Sequence, residues 1–267
     1  MARAGKHRES RPQVIARLRK PMVLSPQLHA TRAPRGACAG PSPGMQPTPP
    51  HREHTLSAEI LKISPDGPEA HHIQYAANLI SRAQVVGIPT DTFYGLAADP
   101  FNLSAVASLY RLKGRPEQKA LPILVSSVEQ AAPLVRELPD NFVRLAQKFW
   151  PGALTLVVTA SHRIPLKVTG NTGRIALRQP NSRIACALVD ACGIPITGTS
   201  ANISGFPACS SVEQLMKQMG DRLPLILDGG ETGATLASTI VDLEDDQWRI
   251  LREGAVSEKE IRATLED

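Results

Sequence analysis

The chain has 267 residues, and only 4% of them are aromatic, so its core must be built from aliphatic side chains. Its formal net charge of +5 originates in residues 1–55, which hold ten Lys/Arg and two Asp/Glu, whereas the remaining residues hold 20 and 23. This balance argues against a body that binds nucleic acid over a broad basic face, and no apolar run approaches the roughly 18 residues of a membrane span.

Residues 1–55 contain repeated prolines and scattered arginines but almost no periodic apolar pattern. The proline-rich stretch 41–50 is incompatible with helix or sheet hydrogen bonding, so the segment is predicted to be a disordered N-terminal extension. It is Arg-rich and poor in acidic residues, as organelle transit peptides are. A translated extension upstream of the true start and a nucleic-acid tether are the other interpretations, and an extension without function is favoured.

The pattern changes from about residue 56, where apolar periodicity predicts regular elements. Ser182 and the capping box Ser257–Glu260 mark two helix starts. In chain order we predict a strand over 58–64, a helix over 69–82, a strand over 85–88, a helix over 103–112, a strand over 121–125, a helix over 140–149, strands over 154–159 and 174–177, a helix over 182–191, a strand over 194–197, a helix over 211–219, strands over 225–227, 239–241 and 248–251, and a last helix from 257.

Strands and helices alternate through most of this region, which indicates one α/β domain over residues 56–267. The last two strands follow each other without a helix between them, so the sheet need not be purely parallel.

A cluster of cations follows the second predicted helix. Lys113, Arg115 and Lys119 lie within seven residues, and Gly114 and Pro116 predict a loop there. Three cations on one short loop repel one another, so an anion is expected to compensate them, typically a phosphate-bearing ligand. On this run alone, a solvated basic turn is an equally good interpretation.

Other polar segments follow predicted strands. The turn 89–96 offers hydroxyls and a carboxylate at a strand end, where open α/β sheets bind ligands. The segment 198–205 combines glycines with hydroxyl and amide side chains, which lets backbone N–H groups approach a phosphate. Arg174 and Arg178 flank one short strand, and one of them could bind a carboxylate through two parallel hydrogen bonds. Each segment is also typical of ordinary turns and surface ion pairs.

Several catalytic signatures are missing from the sequence. It has no Walker A motif, dinucleotide fingerprint or nucleophile elbow. His71, His72 and His162 match no metal or triad spacing, and the four cysteines fit no zinc or redox motif, so we predict no metal site. The cysteines are predicted to fill space in a reduced, cytosolic protein. The cations, hydroxyls, amide and glycines that remain are suited to stabilising negative charge.

Seven segments, taken in order, resemble the YrdC/TsaC family of threonylcarbamoyl-AMP synthases in its single-domain form. Each is weak alone, but their order makes the resemblance specific, and it extends over about residues 58–265. The segments are Pro89–Leu96, Lys113–Pro116 with Lys119, Trp150–Thr155, Arg178–Pro180, Ser200–Asn202, Ser238–Ile240 and Arg252–Gly254.

The resemblance implies a fold, a reaction and partners. The fold is a twisted mixed α/β sheet flanked by helices, with a concave, positively lined cavity. The reaction forms threonylcarbamoyl-AMP and pyrophosphate from L-threonine, bicarbonate or CO₂, and ATP, for the threonylcarbamoyladenosine modification of tRNA. The implied partners are the downstream tRNA threonylcarbamoyl-transfer machinery and tRNA or double-stranded RNA, and the implied location is the cytoplasm.

The resemblance also assigns roles to residues of this chain. It implies that the catalytic residues are Lys113, Arg115, Ser200 and Asn202. The residues expected to contact the nucleotide are these four and Lys119, Thr155, Ser238 and Arg252. Thr92 and Arg178 are expected to bind threonine. Mg²⁺ is expected on the ATP triphosphate, mostly coordinated by water, because no acidic cage is visible in the sequence.

The alternative is an RNA-binding module of the same fold that lacks adenylyltransferase activity. The acidic body and the confinement of the cations to one loop argue against it. A hydrogenase-maturation relative would carry acylphosphatase and zinc-finger regions, and neither pattern occurs here.

Overall fold

The computed structural model describes residues 57–244 and 247–266, and the extension predicted over 1–55 lies outside them. In the described part, seven α-helices alternate with eleven strands. The helices are α1 (Ala70–Ser81), α2 (Leu103–Lys113), α3 (Val128–Ala131), α4 (Asp140–Phe149), α5 (Arg183–Cys192), α6 (Val212–Met219) and α7 (Glu258–Glu266). The strands are β1 (Glu59–Lys62), β2 (Val86–Ile88), β3 (Gly95–Ala97), β4 (Ile123–Leu124), β5 (Leu154–Thr159), β6 (Arg174–Arg178), β7 (Ile196–Thr197), β8 (Thr199–Ser200), β9 (Leu225–Asp228), β10 (Thr239–Glu244) and β11 (Gln247–Arg252).

The strands form two mixed sheets, which confirms the predicted mixed α/β class. The five-stranded sheet has the order β1-β9-β2-β3-β8, in which β2 runs parallel to β9 and antiparallel to β3. The six-stranded sheet has the order β11-β10-β5-β6-β4-β7. Its β10 runs parallel to β5, while β11 and β6 run antiparallel to their neighbours β10 and β5. The division into two sheets was not foreseen, because it depends on pairings between distant short strands.

Apolar side chains cover both faces of the five-stranded sheet. Leu225 and Leu227 of β9 pack in one buried cluster with α1 and α5, whereas the intervening Ile226 packs in the other cluster. This alternation follows from the two-residue period of a strand. Fully buried strands read as continuous apolar runs, which is why β9 was recognisable from its sequence.

All the predicted elements are present, with boundaries that differ by at most three residues. The predicted caps are also present: the Ser182 hydroxyl accepts from the Ala185 amide at 3.3 Å, and Ser257 and Glu260 form the reciprocal capping box. The missed elements are the short strands β3 and β8 and helix α3. Strands of two or three residues are too short to show alternation, so only their pairing defines them.

Candidate functional site

The chain crosses from one sheet to the other in three places, and the first and third crossings carry predicted site residues. The first runs from β3 to β4 and includes Lys113, Arg115 and Lys119. The second passes through Gly198 between β7 and β8, and the third is the loop 229–238 between β9 and β10, which ends at Ser238. The other predicted residues lie in strands or next to strand ends, so the two-sheet topology organises the site.

Lys113 is not part of a loop, as the sequence suggested, but the last residue of α2. Gly114 follows in the left-handed conformation (φ 55°), which glycine adopts without strain, and ends the helix. The Lys113 side chain is only 2% exposed. Its ammonium donates to the carbonyl of Ser200 and to the carbonyl (2.9 Å) and side-chain oxygen (3.1 Å) of Asn202. Burial, followed by the charge of Arg115, lowers the pKa of Lys113 to about 8.

The turn 200–202 is built around the Asn202 amide. Its oxygen accepts from the Ser200 hydroxyl at 2.6 Å as well as from Lys113, and its nitrogen donates to the carbonyls of Ile203 and Phe206. Asn202 is therefore saturated by protein contacts and shapes the turn. Ser200 is exposed, so its hydroxyl lies at the accessible surface of the turn.

Arg115 extends this cluster. Its guanidinium donates to the Thr199 hydroxyl at 3.2 Å and to the Ala120 carbonyl at 2.8 Å. Its Nε is buried and has no hydrogen-bond partner among the described residues. Burial also lowers its pKa. A desolvated cation with an unused donor favours an incoming anion.

The predicted threonine-binding pair, Thr92 and Arg178, is in direct contact. Arg178, the last residue of β6, is 6% exposed and donates to the Thr92 hydroxyl at 3.0 Å. It also forms an ion pair with Asp91 at 2.6 Å and donates from Nε to the Gly152 carbonyl at 2.9 Å. Only glycine fits at position 152, because a Cβ atom there would overlap the Phe149 carbonyl oxygen.

Thr155, Ser238 and Arg252 form the third cluster. The Thr155 and Ser238 hydroxyls are 2.9 Å apart, and both residues are buried. Arg252, at the end of β11, donates to the Ser238 carbonyl (2.6 and 3.1 Å) and hydroxyl (3.0 Å). Arg252 as a whole is exposed, but partial desolvation of its guanidinium and, after it, the charge of Arg178 lower its pKa. The charge of Arg178 therefore acts on the third cluster through space.

Two predicted cations lie outside these clusters. The Lys119 side chain is exposed and makes no hydrogen bond or ion pair with the residues that the structure describes, so its nucleotide contact stays a prediction. Arg174, the other arginine flanking β6, pairs with Asp242, which also binds Arg249 at 2.8 Å. Arg174 therefore belongs to an ion-pair network within the sheet.

Two residues of the site had no predicted role. Asp91 lies in the predicted turn, but its pairing with Arg178 could not be inferred, since it depends on the approach of β6. Tyr94 is fully buried, and its hydroxyl donates to the Gly230 carbonyl at 2.7 Å. A tyrosine within a turn of small polar residues was the available signal, because a buried hydroxyl needs a partner.

The partners of the cations define what the site can do. The acceptors of Lys113, Arg115 and Arg252 are neutral oxygens of carbonyls, hydroxyls and an amide. Within the described residues, the only carboxylate paired with these cations or with Arg178 is Asp91. Most of the positive charge is thus held in place by dipoles and is not neutralised. Such an arrangement stabilises a polyanion or the charge that develops during transfer of a phosphoryl or adenylyl group.

Comparison with known proteins identifies similar chains. A Sua5/YciO/YrdC family model, described as "Telomere recombination", matches residues 78–254. A threonylcarbamoyl-AMP synthase of Pyrococcus abyssi is 36% identical over 197 residues, which are 74% of this chain and 58% of that protein. One of Vibrio parahaemolyticus is 34% identical over 185 residues, which are 68% of this chain and 99% of that protein. The chain thus spans less than two thirds of the archaeal relative's length.

A solved structure shows the same fold. The crystal structure of P. abyssi Sua5 complexed with L-threonine superposes with a TM-score of 0.75 at 35% identity, and the match covers 78% of this chain and 61% of that one.

Proposed function

Because the chain belongs to the Sua5/YciO/YrdC family, we propose that it is a threonylcarbamoyl-AMP synthase, with residues 56–267 as its catalytic domain. The observation that carries this proposal is the set of site cations, of which Lys113 and Arg178 are buried, whose acceptors are mostly neutral. A substrate with a triphosphate group and a second substrate with a carboxylate would supply the missing negative charge.

The reaction would proceed in two steps. The amine of L-threonine attacks CO₂, which is in equilibrium with bicarbonate, and loses a proton to give a carbamate. A carbamate oxygen then attacks the α-phosphorus of ATP, the bond to the bridging oxygen breaks, and pyrophosphate leaves. Negative charge accumulates on the phosphate oxygens, so fixed positive charge accelerates this step.

Lys113 and Arg115 are assigned to the triphosphate. Both are desolvated, and Arg115 has an unused Nε donor. Ser200 would contact the phosphates or the carbamate directly, whereas Asn202 would act by shaping the turn. Thr155, Ser238 and Arg252 complete the nucleotide site as one connected cluster.

Arg178 and Thr92 are assigned to threonine. Three of the five N–H groups of the Arg178 guanidinium are used by Asp91, Thr92 and Gly152. The remaining two can donate to the carboxylate of threonine. Asp91 keeps the guanidinium oriented, so the fork is held in place before the substrate binds.

Mg²⁺ would enter as part of the nucleotide substrate. Among the described residues, no group of three His, Cys, Asp or Glu side chains is placed to hold a metal ion, and the carboxylate of Asp91 already pairs with Arg178. Phosphate oxygens and water would therefore coordinate the ion, as is usual for Mg²⁺ in nucleotide sites.

The product would serve the tRNA threonylcarbamoyl-transfer machinery, which places tRNA or double-stranded RNA among the proposed partners and the reaction in the cytoplasm. None of the described helices has both the length and the apolar character needed to cross a membrane.

The decisive test is to incubate the purified protein with MgATP, bicarbonate and labelled L-threonine. We expect pyrophosphate release that depends on both threonine and bicarbonate, and a labelled adenylate of the expected mass. Serine and valine are useful controls, because each lacks part of the threonine side chain. A folded protein that releases no pyrophosphate, or releases it without threonine, would refute the proposal. RNA binding in such a protein would favour the binding module.

A further inference from the structure

Tyr94 connects three loops of the candidate site. Its amide donates to the Cys209 carbonyl at 2.8 Å, and its carbonyl accepts from the Ala201 amide at 2.7 Å. Its hydroxyl donates to the Gly230 carbonyl at 2.7 Å. The side chain is 0% exposed, so these contacts form inside the protein. One residue of the 89–96 turn thus holds the Ser200–Asn202 turn, the segment before α6 and the loop 229–238.

The start of the loop 229–238 depends on this contact because it has few other anchors, whereas at the loop's end the Ala237 carbonyl accepts from the Ala255 amide at 2.9 Å. The Gly230 amide donates to the Asp228 carboxylate at 3.0 Å, and the Thr232 amide donates to the Ser210 carbonyl at 3.0 Å. The Thr232 hydroxyl is buried and has no partner among the described residues. Gly230 has a positive φ of 85°, as has Gly233 at 63°, and Leu236 is 56% exposed.

The Tyr94 hydroxyl acts at the start of this loop. It fixes the Gly230 carbonyl while Asp228 fixes the Gly230 amide, so both sides of a conformationally free residue are held. Burial raises the pKa of Tyr94 above its usual value, which keeps the hydroxyl protonated and able to donate. The far end of the loop is Ser238, the main contact of Arg252.

We propose that Tyr94 is a positioning residue, whose hydroxyl holds the loop 229–238 so that Ser238 and Arg252 are in place to bind the nucleotide. This inference rests on the proposed function, since it assumes that the third cluster binds ATP. It assigns no contact between Tyr94 and either substrate.

The test uses Tyr94→Phe, which keeps the buried ring and removes only the hydroxyl. Hydrogen exchange of the full-length, ligand-free protein should be about five- to tenfold faster over residues 230–237, as expected for the loss of one hydrogen bond. The Kd for ATP, measured without threonine, should rise by a similar factor. The Kd for threonine should stay within about twofold, because the contacts of Arg178 and Thr92 are untouched.

Tyr75→Phe is the matched control. The Tyr75 hydroxyl donates to Glu59 at 2.9 Å on the outside of α1, so the same chemical change should leave loop exchange and ATP affinity unaltered. Unchanged hydrogen exchange in Tyr94→Phe would refute the proposal that the Tyr94 hydroxyl holds the loop. An equal loss of affinity for ATP and threonine would also refute it, because such a loss indicates general destabilisation. Failure of the wild-type protein to bind ATP would instead refute the proposed function.

Discussion

Strand β6 carries an arginine at each end, and the two guanidinium groups lie in different surroundings. Arg174 and Arg249 share both carboxylate oxygens of Asp242, which is 5% exposed. Arg178 pairs with Asp91, but the charge of Arg252 also acts on this region, and Arg252 donates only to neutral oxygens of Ser238.

The difference lies in the balance of charge. At the Arg174 end, the buried carboxylate of Asp242 on β10 is compensated by Arg174 on β6 and Arg249 on β11, which stabilises the sheet without requiring a ligand. Among the described residues, Asp91 at the Arg178 end is the only carboxylate that pairs with any of the four site cations Lys113, Arg115, Arg178 and Arg252. Desolvated charge without a counter-charge is unfavourable, so proteins retain it where it binds an anion. Substitutions at the two ends should therefore have different consequences.

The largest effect is expected from Lys113→Met. Methionine fills the buried volume but cannot supply a charge to the triphosphate. The rate of pyrophosphate release should fall by about 10²-fold or more, as for the loss of a charge-stabilising donor in other active sites. Steady-state kinetics measures this, and circular dichroism checks that the variant is folded. A folded variant with more than a tenth of the wild-type rate would contradict the assignment.

Arg178→Lys should mainly affect threonine. Lysine keeps the charge but loses the fork that binds a carboxylate bidentately while contacting Asp91 and Thr92. We expect the KM for threonine to rise by about 10- to 100-fold and the KM for ATP to change by less than about threefold. Arg174→Lys, the same change at the other end of β6, should leave both KM values unaltered. An equal rise of both KM values in Arg178→Lys would argue against a threonine site.

Arg174→Met should instead lower stability. It leaves the buried Asp242 with only Arg249, so the free energy of unfolding should fall by about 1–3 kcal/mol, measured by urea denaturation. Arg249 is 70% exposed, and Arg249→Met should cost less than about 1 kcal/mol. Kinetic constants of both folded variants should match the wild type. A selective loss of substrate affinity in Arg174→Met would remove the distinction between the two ends.

These contrasts show what the sequence could and could not predict. The polar segments at strand ends were recognisable because apolar runs stop there, and most helices followed from their 3.6-residue period. Thr92 and Arg178 were both predicted to bind threonine, and the structure places them in hydrogen-bond contact. The roles of the site residues themselves stay predictions.

What could not be predicted depends on long-range pairing. Only the family resemblance distinguished Arg178 from Arg174 in the sequence, and the register of β10 against β5 and β11 brings Asp242 and Arg249 to Arg174. Lys113 looked like an exposed loop cation, because periodicity does not reveal that the end of α2 points into the turn 200–202. Two of the three crossings between the sheets involve β3 or β8, which are strands too short to detect.

The buried state of Lys113 predicts a pH dependence. Its pKa is lowered to about 8, so the ammonium that attracts the triphosphate is lost as the pH rises through this value, and the Kd for ATP should increase by up to about tenfold per pH unit above it. The ATP phosphates are fully ionised there and contribute no slope. Lys113→Met should bind weakly without this dependence, and an identical slope in that variant would assign the titration to another group.

As the pH rises, the lowered pKa of Lys113 weakens ATP binding but has the opposite effect on folding stability. The ordinary pKa of a lysine side chain is 10.5, so between pH 8 and 10.5 the unfolded chain binds more protons at Lys113 than the folded chain does. Its contribution to the free energy of unfolding therefore increases as the pH rises through that window.

The smallest effect is expected from Lys119→Ala. The Lys119 side chain is exposed and makes no hydrogen bond or ion pair with the described residues, so water and salt screen its charge over about 10 Å. We expect kcat and the KM for ATP to change by less than about twofold, and any change to vanish at high salt. Arg115→Ala, four residues earlier, removes a half-buried cation and should weaken ATP binding far more. If Lys119→Ala instead weakens ATP binding tenfold at high salt, the loop must rearrange to bring this lysine onto the nucleotide. A cation that is exposed in the free protein would then contribute to ATP binding as the buried ones do.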